Sequence, residues 1–292
     1  MSSAKSWFLA ARPKTLTASL IPIVAACGLV RSQSLAINWF LVFCAVISSF
    51  AIQIATNLIN DAVDYKKGAD TAERLGPIRV TQSGLISAKT VHIGAAISLV
   101  MAVVFGVPLV IAGGLPVVVI GVISIVMAYG YTAGPFPLAY KGLGDLFVII
   151  FFGLIAVGGM YFILTGQYDT ECFVLGLQIG FLNTILIAIN NLRDIETDRR
   201  VDKKTLAVRL GKTGAKAWII FLIVAPFLIG YYWIYEGKKW LYLVPIIALP
   251  IGISVLKKII STEPSAVYNQ FLAKSAAYGL VFSFCYYLGS FL

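Results

Sequence analysis

The chain has 292 residues, 59% of them hydrophobic and only 12% charged, and its mean hydropathy is +0.90. Soluble domains carry roughly a quarter charged residues, so the composition excludes an ordinary soluble enzyme and indicates a polytopic, all-α membrane protein. The formal net charge of +10 fits loops biased toward Lys and Arg on one side of a bilayer and implies no nucleic-acid partner.

Nine apolar runs are long enough to span, or nearly so, at about 15–31, 38–60, 91–112, 115–132, 144–165, 172–192, 217–235, 240–257 and 271–291. A span needs about 20 residues. The first run holds Pro22, and "GGLP" separates the third from the fourth as a tight hairpin. With the N-terminus placed in the cytoplasm, all of the 23 Lys and Arg except Arg31, Lys238 and Lys239 fall on inside segments. The pattern predicts one transmembrane domain over 1–292, a bundle of nine helices around a central chamber, with cytoplasmic cap loops at about 61–90 and 193–216. "IVAACGLV" looks like a lipoprotein cleavage site, but the many apolar runs after it favour a first membrane helix. The N-terminus lacks an Arg- and Ser-rich transit segment, which points to a bacterial plasma membrane. Cys27, Cys44, Cys172 and Cys285 lie in or beside apolar runs without metal-ligand spacing, and the lone His92 opens a helix. These read as structural residues.

Two polar faces stand out. The second run ends "IQIATNLINDAVDYKKGAD", where Gln53, Asn57, Asn60, Asp61 and Asp64 follow i, i+3, i+4 steps and share one helical face. The sixth ends "NTILIAINNLRDIETDRRVD", where Asn183, Asn190, Asp194, Asp198 and Asp202 step in the same way. Four spans lie between the two motifs, so both emerge on the same membrane side. Carboxylates stacked on one face repel by a few tenths of a kcal/mol per pair, and near a bilayer they cost more. A cation offsets both. Oxygen ligands without His or Cys select Mg²⁺, Mn²⁺ or Ca²⁺, and Mg²⁺ takes one or two carboxylates plus phosphate oxygens. Two facing clusters would hold two such ions with a diphosphate between them. "ERLGPIRVTQSG" supplies Arg74, Arg79 and Gln82, and "YTAGPFPLAYKGLGD" supplies Tyr131, Tyr140, Lys141 and Asp145. Guanidinium and ammonium groups bind and stabilise a departing diphosphate, although any one of these bases is also accounted for by inside bias. Arg79, fixed in a turn by "GPIR", is the strongest candidate.

"NDAVDYKKGAD" with "DIETD" resembles the paired aspartate-rich motifs of the UbiA-type intramembrane prenyltransferases, and the resemblance covers nearly the whole chain. "ARPKT", "DTAERLGPIRVTQSG", "YTAGPFPLAYKGLGDLFV" and "NNLRDIETDRRVDKKTLAVRLG" are similar to that family's naphthoate-prenylating branch. The resemblance implies transfer of a polyprenyl group from polyprenyl diphosphate to 1,4-dihydroxy-2-naphthoate, with loss of CO₂ and diphosphate, in menaquinone synthesis at the membrane's cytoplasmic face. It implies that Asn60, Asp61, Asp64, Asp194 and Asp198 hold Mg²⁺, with Mn²⁺ as an alternative, and that Asp64, Asp194, Asp198 and Arg79 carry catalysis. Asn57, Arg12, Arg74, Gln82, Tyr131, Lys141, Asp145, Asn190 and Asn191 would contact substrate, Tyr131 and Phe136 would face the allylic cation, and Asp70 would complete the first motif. Asp202 stands where a glycine is common in the branch and reads as a surface charge. The rival expectations are another aromatic acceptor, such as 4-hydroxybenzoate, and a cation transporter.

Overall fold

A computed structural model describes residues 3–67, 75–132 and 138–292. Every regular element among them is helical. An amphipathic helix α1 (Ser3–Ala11) precedes α2 (Pro13–Ser32), α3 (Trp39–Lys66), α4 (Ala88–Gly130), α5 (Gly144–Thr165) and α6 (Thr170–Arg193). A short α7 (Ile195–Arg200) leads to α8 (Leu206–Tyr235), α9 (Lys239–Ser261) and α10 (Tyr268–Gly289). Eight of these are long and apolar enough to cross a membrane. Helix α4 is not one crossing in any simple sense, because its 43 residues would reach about 65 Å at 1.5 Å per residue, twice a bilayer core. The chain breaks at Gly114 (φ 64, ψ −148), a conformation open essentially to glycine alone, and Pro116 follows. The "GGLP" hairpin thus divides α4 into two limbs.

Side-chain caps start the helices. Asn38 accepts the Leu41 N–H, Ser87 that of Thr90, Asp169 that of Cys172 and Thr205 that of Val208, at 2.8–3.3 Å. Within the membrane, backbones meet through small residues. Part of α5 (Ile149–Ile155) is wound as a π-helix and lies directly on α6. A Cβ at Gly153 would stand 2.6 Å from Gly180 Cα, and one at Gly180 would stand 2.7 Å from the Ile149 carbonyl.

A buried apolar cluster runs through the bundle from α2 to α10. A smaller one joins Ala10 of α1 and Leu58, Ile59 and Ala62 of α3 to Val80, Ile86, Val91 and Ala95. The end of the bundle away from the aspartate motifs is tied by polar groups. Gln33 Nε2 donates to Glu171 (2.8 Å), Glu171 pairs with Lys238, and the Tyr161 hydroxyl donates to Asp169 (2.5 Å). These bonds are worth more where water does not compete.

Gly153→Ala is expected to cost about 1–3 kcal/mol by overpacking, lowering the melting temperature of the detergent-solubilised protein. Gly121→Ala, at a glycine with open space around it, is expected to lower nothing.

Candidate active site

The last turn of α3 carries Asn60, Asp61 and Asp64, and its side chains part into different tasks. Asp61 is 1% exposed, and its two oxygens accept the backbone N–H groups of Val80 (3.1 Å) and Thr81 (3.0 Å). It anchors the 79–86 turn. With the turn fixed, the buried Arg79 reaches Asp64, Nη2 to Oδ2 at 3.2 Å. The Tyr140 hydroxyl lies 3.5 Å from the other Asp64 oxygen, and Asn60 accepts from the Thr132 hydroxyl.

One turn deeper, Asn57 donates to the Ala11 carbonyl (3.0 Å) and the Thr15 hydroxyl (2.9 Å). These contacts bracket Arg12, which holds a left-handed conformation (φ 50, ψ 67) at the joint between α1 and α2. A non-glycine residue there stores about 1–2 kcal/mol, and Asn57 helps to maintain it. Arg12 lines the central cavity.

The second motif is organised by Arg193, a residue that reads in the sequence as one more inside base. Its guanidinium, 1% exposed, grips Asp194 through Nε (2.7 Å) and Nη2 (2.5 Å). It also donates to Asn190 (2.8 Å) and to Asn269 of α10 (2.5 Å). Asn269 in turn donates to the Leu75 carbonyl (2.9 Å), so the second motif holds the same segment that Asp61 holds from α3. Asp198 is buried and receives Lys203 Nζ at 3.1 Å, while its other oxygen has no partner among the described residues. Burial raises the Asp198 pKa above the usual carboxylate range; Lys203 opposes this and the charge of Asp194 adds to it. Lys203 also stands over the Tyr140 ring, 5.8 Å from its centre, so Asp198, Lys203, Tyr140 and Asp64 form a chain linking the two motifs.

A cavity of about 1040 Å³ opens beneath them. Its polar end is lined by Asn60, Asp64, Arg79, Asn190, Arg193 and Lys203, and its far end by side chains such as Val107, Ile111, Val118, Phe151 and Ile163. Tyr131 and Asp145 lie in the wall between, as does Asn191. Burial and the charges of Asp145, Asp64 and Asp198 push the Tyr131 phenol well above its ordinary range, so it stays protonated. Asn183, deeper still, donates to the Ala18 carbonyl (3.1 Å), and its own buried oxygen has no partner among the described residues.

The remaining candidates spread out. Asp61, Asp194 and Asp198 stand behind the cavity wall, reached through Arg79, Arg193 and Lys203. Gln82 and the exposed Lys141 do not line the cavity. Asp202 (φ 52) is 84% exposed and pairs with Lys204, in keeping with a surface charge. Arg74, Asp70 and Phe136 lie outside the described residues. Sequence reasoning passed over Arg193, Lys203, Asn269 and Trp218 as site residues; "NNLRD" holds the one usable signal, a base fixed between membrane amides and the first acid.

No three acidic, His or Cys side chains converge into a ready-made metal cage among the described residues. The donor chemistry nevertheless fits a hard divalent cation completed by phosphate oxygens. Asp64 and Asp194 are each about 15% exposed, and the second oxygen of Asp198 is an acceptor without a partner among the described residues.

Fold and site together define a polytopic membrane protein whose central cavity is charged and polar at one end and apolar at the other. The pattern of the UbiA prenyltransferase family matches residues 19–281, and the chain belongs to that family. It is 31% identical to a 1,4-dihydroxy-2-naphthoate octaprenyltransferase of Haemophilus influenzae, over 98% of this chain and 95% of that protein. It is 29% identical to the Escherichia coli protein of the same name, over 100% and 97%. Among solved structures, a UbiA homolog from Archaeoglobus fulgidus bound to DMAPP and Mg²⁺ shares the fold, with a TM-score of 0.67 at 14% identity over 97% of this chain and 99% of that one.

Arg193→Lys keeps the charge but loses the fork and the links to Asn190 and Asn269. A loss on the order of 3 kcal/mol is expected, read as a lower unfolding midpoint in detergent.

Proposed function

We propose that this chain transfers a polyprenyl group from polyprenyl diphosphate to 1,4-dihydroxy-2-naphthoate, releasing CO₂ and diphosphate and forming demethylmenaquinol for menaquinone synthesis. The observation that carries the reading is one cavity with an arginine- and aspartate-rimmed polar end and an apolar remainder. The names of the relatives support the choice of acceptor.

Asp64, Asp194 and Asp198, with Asn60, would hold Mg²⁺ or Mn²⁺, and the bound metal supplies Lewis-acid pull on the diphosphate. Asp61 is better read as the anchor of the Arg79 turn than as a ligand, since both its oxygens are engaged by backbone N–H groups. Arg79, Arg193 and Lys203 face the position of the diphosphate and stabilise the charge that develops on it as the allylic C–O bond breaks. Each acid already has a cationic partner; exchanging that partner for metal frees the base to turn toward phosphate. Arg12 and the Asn190–Asn191 pair would contact the substrates. The apolar walls exclude water, which would quench the cation. Tyr131, Phe147 and Phe151, the last two stacked at 4.2 Å, offer ring faces to it. The active site faces the cytoplasm, the N-terminus lies on that side, and 1–292 forms one domain in the plasma membrane.

The first test is purified protein with octaprenyl diphosphate and 1,4-dihydroxy-2-naphthoate, with Mg²⁺ or EDTA, and product identification by mass spectrometry. A prenylated, decarboxylated naphthol is expected only with the metal. Asp64→Asn and Asp194→Asn should lower turnover at least ~100-fold. Product from 4-hydroxybenzoate alone would replace the acceptor; transfer to no acceptor, with cation flux lost in both variants, would favour a transporter.

Asp61→Asn separates anchor from ligand. Mg²⁺ affinity in the presence of diphosphate should stay near wild type while stability falls by about 1–3 kcal/mol. A loss of Mg²⁺ affinity equal to that of Asp64→Asn would restore Asp61 to the ligand set.

A further inference from the structure

Only two carboxylates line the cavity among the described residues, Asp64 and Asp145. Asp64 is committed to Arg79 and to the metal. Asp145 stands apart from every base: no Lys or Arg lies within ion-pairing distance of it among the described residues. It is 2% exposed, at the start of α5, and its Oδ1 accepts the indole N–H of Trp218 on α8 at 2.9 Å. Asn191 of α6 lies against the same carboxylate. Its Oδ2 has no hydrogen-bond partner among the described residues. A buried acceptor left without a hydrogen bond is destabilising, and a buried carboxylate more so. Trp218 fixes Oδ1 and leaves the buried Oδ2 unsatisfied on a residue that lines the chamber.

The chemistry proposed above has a donor for that oxygen. The prenyl tail has no polar hydrogen, whereas the hydroxyaromatic acceptor does. Ring attack on an allylic cation is far easier from a phenolate than from a phenol, so something must take the hydroxyl proton. Tyr131, next to Gly144, is held protonated. His92 is exposed, outside the cavity, and bonded to the Ala88 carbonyl. The other motif acids are tied to Arg193 and Lys203.

We propose that Asp145 is the general base of the transfer, with Oδ2 accepting the acceptor's hydroxyl proton and Trp218 and Asn191 as its positioning residues. This rests on the prenyl-transfer reading. As the O–H bond breaks toward Oδ2, the ring carbon bonds to the prenyl carbon, and the allylic C–O pair leaves on the diphosphate. When CO₂ departs, the electron pair of its bond restores the aromatic ring, and the proton returns from Asp145. The proton count closes with no further reactant.

The test compares wild type with Asp145→Asn and Asp145→Glu, using full-length protein, octaprenyl diphosphate and two acceptors. One acceptor is the dihydroxynaphthoate; the other is a hydroxyaromatic acid with an electron-withdrawing substituent, its hydroxyl already ionised at the assay pH. Asp145→Asn should lower kcat on the naphthoate about 10²–10⁴-fold with little change in KM for the prenyl diphosphate. The pre-ionised acceptor should bring the variant to within roughly tenfold of wild type, because the base is then superfluous. Asp145→Glu should retain part of the naphthoate activity. Wild-type turnover in Asp145→Asn, or an equal loss with both acceptors, overturns the proposal; an equal loss joined to a lower melting temperature identifies a structural tie. An equal slowing of acceptor-free diphosphate release identifies a cation stabiliser and also overturns it. Wild type is the control on the parent reading: if it prenylates neither acceptor, that reading fails, and the base proposal falls with it; if it turns over and the variants match it, only the base proposal falls.

Discussion

A guanidinium buried at the end of a membrane helix is costly unless its donors are matched, and Arg193 meets that condition with Asp194, Asn190 and Asn269. Much of the site depends on this one group. It fixes the direction of the Asp194 carboxylate, ties α6 to α10, and through Asn269 fastens the segment at Leu75. That segment carries Arg79, which Asp61 aligns from the other motif. The aspartate motifs are thus two ends of one hydrogen-bonded frame, and the segment between them is held from both sides.

The frame also explains how acids can crowd a membrane rim. Asp64, Asp194 and Asp198 each have a cationic partner, so the substrate-free protein carries no stack of bare like charges. In the proposed function the same partners meet the diphosphate. Below the rim, ion pairs give way to Tyr131, the lone carboxyl of Asp145 and Asn191, and then to aliphatic and aromatic side chains. The environments along the cavity run from charged to polar to apolar, the order of groups from head to tail along the amphiphilic substrate proposed for it.

Some of this was legible in the residues. The i, i+4 stepping of amides and acids on two long apolar runs marks inward faces, because such groups are tolerated in a membrane only there. The hairpin at "GGLP" was equally plain, since a glycine pair with a proline two residues on favours a break between two apolar runs. Less legible was the division of labour within each motif. Asp61 and Asp64 look alike in the sequence, yet one receives backbone N–H groups from residues about 20 positions away and the other faces an arginine. Asn57 has the spacing of a chamber residue and does line the cavity, yet its amide N–H groups are spent on the α1–α2 joint. Arg193 and Lys203 sit in a charge run whose composition is explained equally well by orientation in the membrane.

The sequence by itself determined the class, the helical membrane-spanning character and the two acidic motifs, because hydrophobic length and helical period are local properties that any bilayer reads in the same way. Tertiary structure alone decided which acid is an anchor, which base is buried, and that Asp145 meets Trp218 from a helix 73 residues away. Those outcomes depend on which backbone and side-chain donors arrive from distant segments, and hydrogen-bond satisfaction in a water-poor interior is settled only when the helices have packed.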